Sequence, residues 1–421
     1  MKVLVIGGGA REHAIAWKLR ASPQVAEIFT APGNTGTAML GTNLDIAAMD
    51  VDGLLDAAKI NSIDLTIVGP ETTLEVGIVD RFRSEGLIIA GPSQAAARIE
   101  TSKAFAKDLM LKYNIPTGKA EFFTSYESAS SYVEQTQMPI VVKADGLAAG
   151  KGVTVCHTHK IALRALREAM EDQAFGSAGD KVLVEECLSG PEISVFTFTD
   201  GVHLSPLVAA CDYKREGDDD SGPNTGGMGS YSPPRVWDAA LSDRIMFEIM
   251  APIVKALADE GAPFQGVLYG GIILTPDGPK VIEFNARWGD PETQTVLPRL
   301  QSDLAELYMA TIDGTVGEMR IQWSEEACVG VVLASGGYPG SYKIGFPING
   351  LDGIDDDRVT VFHAGTRNQN CAGIDLPITS GGRVLTVAAM GTSLEQARQR
   401  AYNNVTRINF EGAKYRRDIA R

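Results

Sequence analysis

Three stretches of the chain carry residue types whose spacing suits phosphate and carboxylate chemistry. In Val281-Ile-Glu283-Phe-Asn285-Ala-Arg287, residues two apart on a strand face the same way, so Glu283 and Asn285 project oxygens from one face, with Arg287 just beyond. Hard oxygen ligands beside an arginine suit magnesium holding nucleotide phosphates. On an edge strand two such residues could equally be solvated, although apolar Ile282 and Phe284 alternate with them. The second stretch, Lys143-Ala-Asp-Gly146-Leu-Ala-Ala-Gly150-Lys151-Gly152-Val153, looks at first like a P-loop. That motif needs four residues between its glycines and then Lys followed by Ser or Thr, whereas here Gly146 and Gly150 are three residues apart and Gly152 follows Lys151. β-Branched runs at 139–142 and 153–156 make it a glycine hairpin instead, either an ordinary turn or a cover that offers bare backbone N–H groups to phosphates. The third, Ser221 to Gly229 with Asn224, Thr225, Gly226, Gly227 and Met228, is not expected to be regular structure. It is either a linker or, following Lys214 and Arg215, a loop that approaches an anionic substrate.

These residues need a frame. Buried-strand patterns at 2–6, 26–30, 64–68 and 87–90 alternate with helical stretches from Ala10 to about Arg20, near 52–60 and near 74–84. That alternation predicts a doubly wound parallel sheet over about 1–100. Its strands end in Gly7-Gly8-Gly9, Ala31-Pro32-Gly33-Asn34, Gly69-Pro70-Glu71 and Gly91-Pro92-Ser93, which form the wall of a site at the carboxyl ends. A dinucleotide-binding Rossmann domain is disfavoured, because Glu12 stands where the third glycine belongs and the second strand ends in Thr30-Ala31-Pro32 without an acid. A helix over 101–113 leads to a smaller α/β unit at about 117–190, whose last strand runs over 182–192. Residues 191–315 mix strands with a long helix near 238–260, and 316–421 is β-rich with a helix at 393–408. Glycine-rich breaks at 336–340 and 380–382 read as turns. The acidic run from Glu216 to Asp220 reads as a solvated loop.

The bulk numbers narrow the classes. With 421 residues the chain predicts two to four domains, and 44% hydrophobic with 22% charged residues is the composition of a soluble globular protein. A net charge of −15 with no basic tract argues against nucleic-acid binding, while local lysines and arginines still allow small anionic substrates. The five cysteines (156, 187, 211, 328 and 371) lack CxxC spacing and read as reduced thiols. No apolar run approaches about 20 residues and no signal peptide precedes the first strand, so the expected setting is cytoplasmic, with no membrane partner. Of the histidines, His157, His159, His203 and His363 lack nucleophile or metal spacing; His13 either bonds the adjacent loop or touches a ligand.

Together, a lysine ending a strand before a glycine hairpin, "VLVEECLSGPE" (182–192) and "EFNAR" resemble the ATP-grasp fold. More closely, "GGGAREHA", "APGNTGTA", "IVGPE", "KADGLAAGKGV", "DYKR", "GPNTGGMGSYSP" and "EFNARWGDPETQ" resemble the phosphoribosylamine-glycine ligases (GAR synthetases) of purine biosynthesis, from Lys2 to the C-terminus. The resemblance implies an N-terminal substrate-binding domain with a doubly wound parallel sheet (1–101), an ATP-grasp core of two α+β subdomains (102–315, with 117–190 as lid) and a C-terminal β-rich domain (316–421). It also implies a monofunctional, monomeric enzyme that joins glycine to 5-phosphoribosylamine using ATP and magnesium, with manganese as a substitute.

Carried over by motif, Lys103 and Lys143 contact ATP phosphates beneath a lid of Gly146, Gly150, Lys151 and Gly152. Glu185, Glu186 and Leu188 line adenine through their peptides, and Glu192 takes the ribose. Glu283 and Asn285 bind the metal. Arg287, Lys214 and Asn224 act at the reacting centre, Arg287 either on the transferring phosphoryl group or as a structural salt bridge. Gly8, Arg11, Glu12, Gly33, Asn34, Pro70, Glu71, Asp212, Thr225, Gly226, Gly227 and Met228 hold the substrates. The Gly266–Leu274 segment lacks the further acidic metal ligand of many ATP-grasp proteins, leaving a second ion without that bridge or dependent on Asp212 or Asp290. Two rival readings are another ATP-grasp ligase, such as a carboxylase acting on biotin or a purine intermediate, and a non-catalytic nucleotide-binding regulator.

Overall fold

In the computed structural model, described over residues 1–147, 152–371 and 374–421, the first hundred residues form a five-stranded sheet. Its order is Thr42–Asn43, Glu27–Pro32, Lys2–Gly7, Leu65–Val68 and Ile89–Ala90, every pair parallel. Lys2–Gly7 and Leu65–Val68 are buried almost throughout, as expected of parallel strands between helix layers. The chain winds first to one side of Lys2–Gly7 and then to the other. The loops after Lys2–Gly7, Glu27–Pro32 and Leu65–Val68 therefore open on the crevice where the winding reverses.

After the helices Gln94–Thr101 and Lys103–Lys112, a four-stranded antiparallel sheet runs in the order Ala120–Phe123, Val182–Glu186, Ile140–Ala144, Val153–Cys156. Helices Tyr126–Gln135 and His159–Met170 cover it, with Ala129, Val133, Ala162 and Leu166 in the shared core. Lys143 pairs with Val153 across the hairpin, so a strand follows the glycine loop where a P-loop has a helix. The strand expected over 182–192 is two strands: Val182–Glu186 stays in this sheet, and Glu192–Thr199 belongs to the next. Gly190 makes the crossing at φ 153°, where a Cβ would stand 2.0 Å from Leu274 O.

The large sheet has eight antiparallel strands: Gly278–Asn285, Gly266–Thr275, Glu192–Thr199, Val208–Asp212, Gly229–Ser232, Ala327–Ala334, Arg383–Gly391 and Val359–His363. It crosses the boundary near 316 without a break. Gly229 allows the joining strands to meet, since a Cβ there would lie 2.7 Å from Gly330 O. The segment after Ser221, expected to be irregular, supplies both Gly229–Ser232 and the small strand Ser221–Asn224, which pairs with Arg215–Gly217. The long helix is Ala239–Ile245 and Ala251–Asp259 joined by a wide π turn, Met246–Met250, before Pro252, whose ring nitrogen has no hydrogen to donate.

The acidic run is exposed at Asp218–Asp220, as expected, but it is also anchored. Asp220 pairs with the buried Arg416 at 2.9 Å, Asp218 accepts Arg417 N–H at 2.7 Å and Glu216 pairs with Lys414, so the run fastens the C-terminal segment. Among the described residues, no helix is long and apolar enough to cross a membrane.

Candidate active site

The cleft lies between the small sheet and the edge strand of the large one. Lys143, buried at the end of Ile140–Ala144, donates to Ile282 O at 3.2 Å and pairs with Glu185 at 2.6 Å. Glu185 also pairs with Lys107 at 3.2 Å, and Lys107 in turn donates to Thr117 Oγ1 and Gly118 O. Lys103, in the first turn of its helix, donates to Gly146 O at 2.6 Å. Burial lowers its pKa, Glu283 pulls it back up and Lys143 pushes it down, so these three charges share one cleft. Gly146 opens the hairpin at φ +113° and Gly152 O closes it by accepting Ala144 N–H at 2.9 Å. Gly150 and Lys151 lie outside the described residues.

One expectation changes on this side. Glu185 does not present its peptide to a ligand: it sits inside the sheet between Ala120 and Val141, and its carboxylate neutralises two lysines. Glu186 gives its N–H to Lys119 O at 2.9 Å, which leaves its carbonyl, while half-buried Leu188 lies past the strand end, outside both ladders. Glu192 opens the next strand with its carboxylate 2.8 Å from Lys214.

On the edge strand, Glu283 stands opposite Gly271 and Asn285 opposite Tyr269, while a bulge at Ile282 absorbs a change of register. One end of the Asn285 amide meets two acceptors, Glu100 Oε1 at 3.1 Å and Phe284 O at 3.0 Å; that hydrogen-bond demand assigns the nitrogen to this end and turns the oxygen away from both. One carboxylate and one amide oxygen, facing lysines, fit a magnesium ion that takes its remaining ligands from phosphate and water. Among the described residues, no group of three or more His, Cys, Asp and Glu is arranged to hold a metal.

Where this strand meets the N-terminal loops, Arg287 pairs with Glu100 at 2.7 Å and Glu71 at 3.1 Å, and donates to Trp288 O at 3.1 Å. Of the alternatives raised for Arg287 the structural bridge is present, and the guanidinium retains N–H groups beyond these three. Glu71 reaches Arg11 as well, at 3.7 Å. Burial works against the Glu71 charge, but Arg287 and Arg11 outweigh it and lower its pKa to about 2. Burial pushes Glu100 up to about 7 against the pull of Arg287. Ala286 N–H and Arg287, the groups it bonds, are both donors.

Several residues expected at the substrates have structural partners in the fold. Glu12 is buried, with one carboxylate oxygen on Gly9 N–H at 2.6 Å and the other on Arg11 Nε at 2.6 Å. Asn34 is buried too: its amide nitrogen reaches Gly8 O, Gly9 O and His363 O, and its oxygen caps the turn at Gly36 and Thr37. Gly33, Gly8 and Pro70 remain half-buried at the crevice. Thr225 bonds to Lys214 O and Gly227 N–H, and Gly226 is held by Tyr338 and Arg383. Gly227 is seated against Pro291, and Met228 is fully buried in the core. Asn224 is exposed opposite Arg215 and makes none of these bonds. The glycine-rich loop is a knot, tied largely to itself and its neighbours. His13 accepts His363 N–H at 2.9 Å and so bonds the C-terminal strand, not its own loop.

Asp212 and Lys214 do face a common cluster. Burial opposes the Lys214 charge, but Asp212, Tyr269, Glu192 and Glu283 outweigh it and raise its pKa well above the ordinary range. Burial raises Asp212. Behind them, Ser194 links Tyr269 OH at 3.0 Å to Glu292 at 2.9 Å. Sequence reasoning missed Glu100, Lys107, Tyr269, Ser194 and Arg383. Glu292 lay within a quoted motif without a role. Arg383 pairs with Asp290 at 2.9 Å from 93 residues away, and no local pattern signals that.

Residues 1–100, 101–293 and 328–421 match, in order, the N domain, the ATP-grasp (A) domain and the C domain of phosphoribosylglycinamide synthetase. The chain is 50% identical over 420 residues to a phosphoribosylamine–glycine ligase of Halalkalibacterium halodurans, covering 100% of this chain and 96% of that one. It is 48% identical over 422 residues to the Vibrio cholerae ligase, covering 100% and 97%. Among solved structures, the Thermotoga maritima phosphoribosylamine–glycine ligase superposes with a TM-score of 0.82 at 30% identity, with both chains fully covered. A Campylobacter jejuni biotin carboxylase bound to an ATP analogue superposes with a TM-score of 0.72 at 14% identity, covering 98% of this chain and 92% of that one, which is likeness of fold alone. The three consecutive domain matches and the full-length identities agree: the chain belongs to the phosphoribosylglycinamide synthetase family.

Proposed function

We propose that this chain is an ATP-dependent carbon–nitrogen ligase that joins glycine to 5-phosphoribosylamine through glycyl phosphate, giving glycinamide ribonucleotide, ADP and phosphate in purine biosynthesis. A carboxylate resists nucleophiles and oxide does not leave. Once glycine carries the phosphoryl group from ATP, its carbonyl carbon has a leaving group, and the neutral amine attacks it with loss of phosphate. No protein nucleophile is required, so the residues position the reactants, offset charge and exclude water. The observation that carries this reading is the cleft in which Lys103 and Lys143 share an electrostatic neighbourhood with Glu283, with Asn285 on the same face and Arg287 at the junction with the N-terminal loops.

In this assignment Lys103 and Lys143 hold the ATP phosphates. The Glu186 carbonyl and Leu188 peptide take adenine, and Glu192 the ribose. Lys214 and Asp212 face glycine. Arg11, Gly8, Gly33 and Pro70 line the phosphoribosylamine crevice. Glu283 and Asn285 hold magnesium, or manganese in its place, and the ion when bound offsets phosphate charge. The working division is 1–101, 102–315 with 117–190 as lid, and 316–421, in a cytoplasmic monomer.

The test is ADP release with ATP, glycine and freshly made phosphoribosylamine. ADP should appear only with both substrates, and Glu283→Ala and Arg287→Ala should abolish it without unfolding the chain. Formation of ADP independent of either substrate ends the ligase reading. Near-wild-type turnover in either variant ends the role assigned to that residue.

A further inference from the structure

We infer that Glu100 is a positioning residue which sets the orientation of the Asn285 amide, and with it the availability of an oxygen ligand at the cleft. This rests on the reading of Glu283 and Asn285 as metal ligands. Glu100 lies in the last turn of Gln94–Thr101 and is 7% exposed. One carboxylate there engages three consecutive residues of the neighbouring strand end. Oε2 accepts Ala286 N–H at 2.7 Å and Oε1 accepts from Arg287 Nη2 at 2.7 Å; Oε1 also stands 3.1 Å from the end of the Asn285 amide that its acceptor neighbours assign as nitrogen.

The chemistry of the amide makes this contact consequential. Asparagine presents an acceptor on one side and a donor on the other, and only the oxygen can ligate a cation. Rotating the amide by half a turn exchanges the two at almost no steric cost. Phe284 O, the second partner of the amide nitrogen, is also an acceptor, so two acceptors specify one orientation. Glu100 meets Ala286 N–H and Arg287 as an acceptor, and its Oε1 faces the amide in the same role, which favours the nitrogen inward and leaves the oxygen for the cleft. A glutamine at position 100 has a donor of its own, which can satisfy an inward-facing Asn285 oxygen and so stabilise the non-ligating orientation. Glu100 also holds Arg287, so the same carboxylate sets the guanidinium beside the metal face.

The test compares Glu100→Gln, Glu100→Asp and Asn285→Ala with wild type. Binding of Mn2+·ADP is followed by electron paramagnetic resonance, and binding of ADP alone by calorimetry in EDTA. Supporting residues of metal ligands typically govern about 10–100-fold of affinity. Glu100→Gln should therefore weaken Mn2+·ADP by at least about 10-fold, with metal-free ADP affinity changed less than about twofold. Glu100→Asp, which keeps an acceptor-only group, should recover part of the loss. In turnover the apparent KM for magnesium should rise more than kcat falls. Wild-type Mn2+·ADP affinity in Glu100→Gln, alongside a loss in Asn285→Ala, overturns the positioning role and leaves the ligand assignment standing. Wild-type affinity in Asn285→Ala overturns the ligand assignment itself. If Glu100→Gln does not fold, Glu100→Asp decides: unchanged Mn2+·ADP affinity overturns the proposal, and a selective loss of metal-dependent binding supports it.

Discussion

Two carboxylates, Glu185 buried and Glu71 half-buried, each bridge a pair of cations, and they are built for different ends. Glu185 pairs with Lys107 at 3.2 Å and Lys143 at 2.6 Å, all within the small sheet and its neighbouring helix. Glu71 pairs with Arg11 at 3.7 Å and Arg287 at 3.1 Å, one from the N-terminal helix and the other from beyond the edge strand. Lysine is a compact charge on a flexible stem, whereas arginine fixes geometry with a planar fork. Lys143 can turn from Glu185 to a phosphate while Lys107 still neutralises the carboxylate. The two arginines at Glu71 are each fastened in place by several partners: both donate to Trp288 O, Arg11 pairs with Glu12 and Arg287 with Glu100. The nucleotide side can exchange partners; the junction with the N-terminal domain holds them.

The comparison breaks most visibly in stability. Glu185→Ala takes from two buried lysines the carboxylate they both pair with, leaving them carbonyl and hydroxyl partners alone, and should lower unfolding free energy by about 3–5 kcal/mol in urea titrations. Glu71→Ala should cost less, about 1–3 kcal/mol, because Arg11 keeps Glu12, Arg287 keeps Glu100 and both keep Trp288 O. Equal losses would remove the distinction, and a larger loss at Glu71 would reverse it. Exchanging the cations sharpens the same point in turnover. Arg287→Lys cannot span Glu71, Glu100 and Trp288 O together and should lower kcat/KM by about 100-fold. Lys143→Arg keeps a charge at the strand end and should lose about 10-fold. A greater loss for Lys143→Arg would mean that the nucleotide side is the rigid one.

These bridges also mark what could be read from the chain before its structure. The strands of the N-terminal sheet were legible because Val3-Leu-Val-Ile6 and Leu65-Thr-Ile-Val68 are unbroken apolar runs, as strands buried on both faces require. Lys143 and the Glu283–Arg287 strand were legible because period-two spacing fixes which side chains share a face. Alternation says which face is buried and is silent about which strand lies alongside, so the continuation of the large sheet into the C-terminal strands was not. Polar residues in small-residue loops misled in the same way. Asn34 and Thr225 have the chemistry of substrate contacts, but compact loops must satisfy their own peptides, and both side chains do that. Glu100 stayed invisible because the peptide it holds, Ala286, lies 186 residues away.

A third junction carries no charge, and its pH dependence separates it from the other two. His13 and His363, with ring centroids 5.7 Å apart, join the N-terminal helix to the last strand of the large sheet. Burial, reinforced by His363, lowers the pKa of His13 to about 3, and burial lowers His363 to about 4. Above pH 6.5 both are neutral whether folded or not, and they contribute no slope. Below it the unfolded chain takes protons that the folded one refuses, so their contribution falls as the pH drops towards 4 and 3. Glu71 behaves differently: with a folded pKa near 2 against an ordinary 4.5, its contribution is intact above pH 4.5 and is lost only below it. Glu100 and Glu292, both pushed up to about 7, take protons in the folded state within the histidine window and act in the opposite direction. The imidazole is therefore isolated by a difference. His13→Asn keeps an acceptor for His363 N–H without a group that titrates, so relative to wild type it should gain about 1–2 kcal/mol of stability between pH 7 and pH 5. Denaturation midpoints at the two pH values measure this. Parallel shifts of wild type and variant would mean that the imidazole is not held neutral, and the uncharged junction would join the ion pairs it was set against.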